Sequence, residues 1–167
     1  AGVLEQAELF LCDGLTQVQP EGITDVVIAG MGGETIVHIL ESCPWRQQVH
    51  LILQPMTKIS TLRQWMAEQG FSWTEQAVQE GEKFYLIFSA CAAGTVCRLT
   101  ALEQEVGKLD WTSETARRYA NWKQQRFQKL AQQLRQAQRP EAESWETLAE
   151  AVQTKLQETD AKGEAAC

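Results

Sequence analysis

No run of apolar residues in this chain approaches the roughly 20 that a helix needs to cross a bilayer, which excludes a spanning helix of the ordinary kind. No charged leader precedes a signal-type apolar segment either, and the cytoplasm is the expected compartment. Histidine is scarce. His38 and His50, the only two, sit in apolar runs where a packed or surface role is the ordinary one, so neither is taken as a ligand or general base. The five cysteines, at 12, 43, 91, 97 and 167, include no Cys-x-x-Cys pair and no His at zinc-ligand spacing, which argues against a metal site. Reduced thiols, most of them buried as small hydrophobes, are expected. Positive charge is also short, with 15 Lys and Arg against 22 Asp and Glu and a net charge of -7. A protein that coats nucleic acid over its whole surface is thereby excluded, and any contact with RNA must be local.

What is present is enough apolar material, 44% of 167 residues, for one sizeable core with a smaller unit beside it. The chain opens on Ala1 with a phrase that reads as the tail of a helix and leads into a strand, so a removed leader or a missing front is expected. Residues 9–12 form a short apolar run closed by Asp13-Gly14, the pattern of a buried strand ending in a tight turn. Residues 25–29 repeat it with the continuous β-branched run Val26, Val27, Ile28, expected of a strand covered on both faces. Gly30-Met31-Gly32-Gly33 ends that strand, and Ile36, Ile39 and Leu40 follow at helical spacing up to Pro44. Residues 49–53 predict a third strand, interrupted at Gln54-Pro55, and Ile59, Leu62 and Met66 a helix closed by Gly70.

Residues 71–78 and 83–90 then read as two strands joined by a hairpin-length connection, hence antiparallel. Parallel units that end in such a hairpin suit a class I methyltransferase sheet, in which the last strand is inserted in reverse. After Ala92-Ala93-Gly94 the period becomes helical. Thr100 and Glu103 are spaced as a capping box, and Thr112 or Ser113 can cap a long helix with the seam Ala120, Lys123, Phe127, Leu130, Leu134, Ala137. Pro140 breaks it, and Trp145, Leu148, Val152 and Leu156 line a last helix that frays from Asp160. The expected fold class is α/β, a partial Rossmann-like class I methyltransferase sheet followed by an α-helical coiled-coil hairpin. The expected division is residues 1–92 for the sheet domain, 93–160 for the helical domain and 161–167 for the frayed tail.

Ligands of open α/β sheets bind at the carboxyl ends of the strands. The glycines at 30, 32 and 33 permit close backbone approach there, although such turns also occur with no ligand. Asp13 can accept a hydrogen bond from an exocyclic amine or a ribose hydroxyl; its other reading is a turn cap. Pro55 offers a flat apolar surface on which a base can rest. Between Arg117 and Arg139 stand Arg117, Arg118, Lys123, Arg126, Lys129, Arg135 and Arg139, seven of the chain's 15 cations, with no acidic residue among them. A solvated helix face mixes signs, so this segment points to phosphate, while pairing with the acidic last helix is the alternative. Trp111, Tyr119 and Trp122 could stack on unpaired bases or pack in a core.

The order Cys12-Asp13-Gly14-Leu15, then Asp25-Val26-Val27-Ile28-Ala29-Gly30-Met31-Gly32-Gly33, then Leu51-Ile52-Leu53-Gln54-Pro55, then Lys83-Phe84-Tyr85 closely resembles the bacterial TrmK family of tRNA adenine-N1 methyltransferases. The resemblance runs from about Leu4 to Phe88, and the helical hairpin after it is similar to that family's coiled-coil extension. It implies S-adenosylmethionine as cofactor and tRNA as partner. It implies further that Asp13 and Gly14 lie at the cofactor's adenine, that Gly30, Met31 and Gly32 flank the cofactor and the entering base, and that Gln54 and Pro55 face the target base as catalytic residues. Arg117, Arg118, Lys123, Arg126 and Lys129 would then hold the RNA. Two departures stand out: Met56 replaces the Asn of the family's Gln-Pro-Asn, and the family's front βα units with their acidic cofactor loop have no counterpart before Leu9. The chain alone is therefore expected to bind cofactor poorly and to be inactive, an expectation that measurable transfer by the purified chain would refute. A methyltransferase for another substrate, a non-catalytic RNA-binding or assembly module and, more distantly, a nicotinamide oxidoreductase are the rival readings. No metal is expected, and a monomer is slightly favoured.

Overall fold

The computed structural model describes residues 7–164. Among them run β1 (Asp25–Gly32), α1 (Gly33–Glu41), a turn of 3-10 helix (Arg46–Gln48), β2 (His50–Thr57), α2 (Ile59–Glu68), β3 (Phe71–Glu80), β4 (Lys83–Ala92), α3 (Ala101–Glu105), α4 (Glu114–Gln136) and α5 (Ala142–Glu164). β1 and β2 are parallel, as strands joined through a helical crossover must be. The two-residue connection at Gly81 and Glu82 makes β3 and β4 antiparallel, and β4 inserts between β2 and β3 to give the order β1-β2-β4-β3. Leu51, Ile52 and Leu53 face Ala90, Ser89 and Phe88 across that junction. The reversed, inserted strand is the one the sequence predicts.

Period-2 alternation sends Val26, Ile28, Leu51, Leu53, Leu86 and Phe88 to one face of the sheet. There they form one cluster with Ile36 and Leu40 of α1 and Leu62 and Met66 of α2, each such side chain contributing about 1.5–3 kcal/mol on burial. Two expectations fail at the opposite face and at the free edge. Val27 is 66% exposed, so β1 is covered on one face only. Residues 9–12 form no strand, and Leu9 and Leu11 are 86% and 99% exposed. The reason is common to both: β1 is hydrogen-bonded to β2 alone, and a short apolar run with no partner strand cannot satisfy its backbone in a ladder. β2, in turn, runs through Gln54 and Pro55 to Thr57 instead of stopping at them.

The helical part starts as its caps dictate. Thr100 accepts from the Glu103 amide at 3.1 Å while the Glu103 carboxylate accepts from the Thr100 amide at 2.8 Å, and Ser113 caps α4. α4 and α5 pack as an antiparallel hairpin around Pro140. The α5 seam is as predicted, with Leu148 and Val152 buried and Trp145 and Leu156 half-buried. The α4 seam is rotated: Ala116, Ala120, Gln124, Phe127 and Ala131 are buried, and Lys123, Leu130 and Leu134 lie to one side of it. Gln124 donates to Gln153 at 2.6 Å across the hairpin, which satisfies a buried polar side chain that the predicted seam did not include. α5 continues past Asp160 to Glu164, further than the predicted fraying point, and 165–167 lie outside the described residues.

One buried ion pair ties the helical part to the sheet. Arg63 of α2 donates to Glu75 of β3 at 2.6 and 3.0 Å, and both side chains are wholly inaccessible to solvent. The guanidinium also donates to the carbonyls of Gln104 and Val106 at 2.9 Å each, and Glu75 accepts from the Trp73 indole at 2.8 Å. A buried charge pair is tolerated when its polar atoms are hydrogen-bonded, as all three guanidinium nitrogens and both carboxylate oxygens are here. Nothing in the periodicity signalled it.

Candidate functional site

At the carboxyl edge of the sheet β1 and β2 end side by side, Ala29 opposite Gln54 and Met31 opposite Pro55. The register slips between Ala29 and Met31 because Gly30 bulges out with φ of +76°, a conformation that favours glycine. The bulge turns the Gly30 amide out of the ladder, where it donates to the Gln54 side-chain oxygen at 3.0 Å. The other end of that side chain donates to Met56 Sδ at 3.3 Å, so the sulfur occupies the place at which the resemblance led us to expect an Asn. A Cβ on Gly30 would meet no atom within 4 Å, leaving open space beside the bulge for a ligand's approach. Gly33, by contrast, is needed for closeness: a Cβ there would overlap the Lys58 carbonyl, so only glycine lets α1 and α2 begin against one another at this rim.

Of the predicted site residues, Gly30, Met31, Gly32, Gln54 and Pro55 are thus brought together. Asp13 and Gly14 stand apart from them, beside the last turns of α1. The Asp13 carboxylate lies 3.7 Å from His38 Nε2, with both side chains exposed, and Gly14 packs on Ile39.

Two adjoining cavities lie between the end of β2 and α4. The smaller, of about 350 Å³, is lined by Pro55, Met56, Lys83, Tyr85, Trp122 and Arg126, among others. The larger, of about 720 Å³, shares Ile59, Trp122 and Arg126 with it and adds Lys58, Lys123 and Lys129. Trp122 stands between them, its ring braced by Phe84 and Tyr119 at 5.7 and 5.9 Å, with the Arg126 guanidinium 4.7 Å over its face. Tyr119 itself is buried in that cluster and Trp111 is packed against the core, so Trp122 is the aromatic of the three that borders the cavities.

The seven cations of the α4 segment divide by face. Arg117 pairs with Asp160, Arg135 with Glu146 and Arg139 with Glu141. Lys123 lies 3.8 Å from Glu105 and 4.7 Å over the Phe127 ring, with only 19% of its side chain exposed. Burial, reinforced by the nearby charges of Arg63 and Arg126, lowers its pKa to about 8 despite Glu105. Arg118, Arg126 and Lys129 are exposed and have no acidic partner among the described residues. Pairing with acidic residues therefore holds on one face of this helix, and another face is left with unpaired cations among the described residues.

At the other end of the sheet, His50 bridges Asp25 at 2.8 Å and Ser89 at 2.7 Å. Thr24, then His50, hold the Asp25 carboxyl below its usual pKa. The spacing is that of a Ser-His-Asp relay, but neither cavity above is lined by these residues, and Ser89 sits on a flat strand face. Its evident work is to pin three strands together. Sequence reading missed it because the three residues meet only through strand register. Cys43 is buried as expected, whereas Cys91 is exposed. No group of His, Cys, Asp or Glu suited to a metal occurs among the described residues, and no described helix is long and apolar enough to cross a membrane.

A parallel β-α-β-α unit closed by an inserted antiparallel strand, with a glycine bulge on its carboxyl edge, is the architecture of the Rossmann-like class I methyltransferases. The chain belongs to the TrmK family, tRNA (adenine(22)-N(1))-methyltransferase, whose sequence profile matches residues 1–160. It is similar to a candidate tRNA (m1A22) methyltransferase of Streptococcus pneumoniae, with 26% identity and a TM-score of 0.74 over 87% of this chain and 68% of that one. The same pneumococcal protein solved in complex with S-adenosyl-L-methionine gives 29% identity and a TM-score of 0.67 over 88% and 67%. The Bacillus subtilis m1A22 tRNA methyltransferase TrmK, at 23% identity and a TM-score of 0.67 over 89% and 68%, shares the fold. No curated protein sequence matches the chain significantly. The family's chemistry is methyl transfer from S-adenosylmethionine to N1 of an adenine in tRNA.

Proposed function

We propose that the rim where Gly30 and Gln54 meet is this chain's part of the site for its family's reaction, with the RNA held along the unpaired face of α4. The observation that carries this reading is the 3.0 Å hydrogen bond from the Gly30 amide to the Gln54 side chain, which joins two strand ends into one surface beside open space. Gly30, Met31 and Gly32 flank the cofactor there, and Asp13 and Gly14 serve its adenine end from beside α1. The exposed Asp13 carboxylate can accept from an amine or a hydroxyl, as a nucleoside requires. When bound, S-adenosylmethionine supplies a methyl group on a sulfonium, a good leaving group.

The work left to the protein is placement. Adenine N1 has a lone pair of its own, so no general base is needed once the base has left its stack and lies in line with the methyl group. Pro55, buried on the core side of β2, backs the rim from beneath, and Gln54 acts as a positioning residue that holds the bulge while its amide nitrogen, engaged only by long contacts to the Pro55 carbonyl and Met56 Sδ, can turn to the base. Arg118, Arg126 and Lys129 grip phosphates; Arg117 and Lys123, shared with Asp160 and Glu105, contribute less. The helical part from residue 93 acts as the RNA-holding domain beside the sheet domain, in a monomeric cytoplasmic enzyme. The test is charge reversal of Arg118, Arg126 and Lys129 together in the 167-residue chain. At low salt the affinity for unmodified tRNA should fall by more than tenfold, with a shallower salt dependence. Unchanged affinity would remove the RNA role and leave the hairpin as a protein-partner surface.

A further inference from the structure

The smaller cavity has a composition that the target base alone does not explain. One wall is Pro55 and Met56, the end of β2; a second is Lys83, Phe84 and Tyr85 at the start of β4; the third is Trp122 and Arg126 on α4. Met56 is half exposed into solvent, although it is large and apolar. Two cations and a single acid, Glu82, border it. Flat apolar and aromatic surfaces edged with positive charge are what an unpaired nucleotide requires: a face for its base and a cation for its phosphate. Arg126 lying over the Trp122 ring extends the platform by one more plane, and the bracing by Phe84 and Tyr119 fixes it in place without an entropic cost at binding. The volume of about 350 Å³ falls within the range of small-ligand sites.

Position supplies the rest. Met56 belongs at once to the rim, where its Sδ accepts from Gln54 at 3.3 Å, and to this cavity, so whatever fills the cavity is the neighbour of whatever occupies the rim. On its far side Ile59, Trp122 and Arg126 separate it from the adjoining cleft that bears Lys58 and Lys129, cations placed for the continuing strand.

We infer that this cavity is a subsite for a nucleotide adjacent to the target adenine in the tRNA strand, stacked on Trp122 and Arg126, with Lys83 on its phosphate and Tyr85 at its edge. The inference rests on the reading that tRNA lies along α4. It gives a role to Lys83 and Tyr85, the two polar-tipped residues of the Lys83-Phe84-Tyr85 phrase.

The test is a coupling measurement. The 167-residue chain, wild type and Trp122→Leu, is titrated with an intact tRNA transcript and with transcripts made abasic at the nucleotide on either side of the target. Trp122→Leu should weaken intact tRNA by about tenfold, within the range known for one base stacked on one aromatic. One of the two abasic transcripts should lose a similar factor with the wild-type chain and nothing further with the variant. Losses that multiply in full for both transcripts, or no loss on either arm, would overturn the subsite. The abasic arm leaves the protein untouched, so it decides the matter even if the variant folds poorly. Reversal of Arg118 and Lys129, neither of which lines this cavity, reports on the underlying reading. If it weakens binding while the coupling is absent, the subsite alone fails; if it changes nothing, the placement of tRNA along α4 fails with it.

Discussion

At the carboxyl rim of β1 and β2 the surface is made of backbone: a glycine bulge, one reoriented amide and the single side chain that holds it. Across the cleft, α4 presents the ends of long side chains, with Trp122, Arg126 and Lys129 standing on a helix whose own backbone is fully engaged. The two regions serve one substrate with opposite materials. Where a reacting atom must be placed, rigid backbone costs no side-chain entropy. Where a flexible polyanion must be gathered, charge at the tips of mobile side chains suffices and precision is not needed.

That contrast can be broken most severely at the joint between the regions. Arg63→Met alone should destabilise the chain by about 3–5 kcal/mol, because it strands Glu75 as an uncompensated buried charge. Thermal or urea unfolding would measure it, and replacing Glu75 by Leu as well should restore most of the loss. Next in size is the rim. Gly33→Ala sets a methyl against the Lys58 carbonyl and should cost about 1–3 kcal/mol in the same assay, whereas an Ala at the open surface of α4, for example Gln125→Ala, should cost almost nothing.

The α4 face allows a sharper comparison within one helix. Reversing Arg135 and Arg139, already paired with Glu146 and Glu141, should lower tRNA affinity at most a few-fold, well short of the loss from reversing Arg118, Arg126 and Lys129. Equal losses would mean that the whole helix, and not one face, meets the RNA.

The smallest effect expected is that of pH. Lys123 is protonated below about pH 8 and adds a charge to the cleft, so tRNA affinity should fall a few-fold between pH 7 and 9. Lys123→Arg, which stays charged, should flatten that part of the profile. Stability should move the other way. Because the folded pKa lies below the unfolded one, the unfolded chain binds more protons between pH 8 and 10.5, and this group's contribution to stability rises across that window.

Elements set by local pattern were legible in the sequence. The Thr100 and Glu103 box, the Gly70 stop and the hairpin at Gly81 all form where spacing put them. Period-2 alternation in β2 needs no distant neighbour, whereas the insertion of β4 between β2 and β3 was legible only through the class of sheet that the closing hairpin implied. The errors occur where a residue's fate depends on something distant. Residues 9–12 and Val27 read as buried because they are apolar and β-branched, yet burial requires a partner surface, and β1 has one on a single side. Lys123 read as a seam position by period, but it lies to one side of the seam, and Glu105 reaches it from α3.

The sequence by itself determined the order of elements, the class of the sheet, the glycines at its rim and the concentration of cations in α4, because these depend on near neighbours and on composition. Tertiary structure alone decided which cations stay unpaired among the described residues, that Gln54 grips Gly30, that Arg63 and Glu75 bind the helices to the sheet, and that Trp122 lines one cavity with Pro55 and Tyr85. Each of those joins residues far apart in the chain, and the energy of such a contact depends on a geometry that periodicity does not encode.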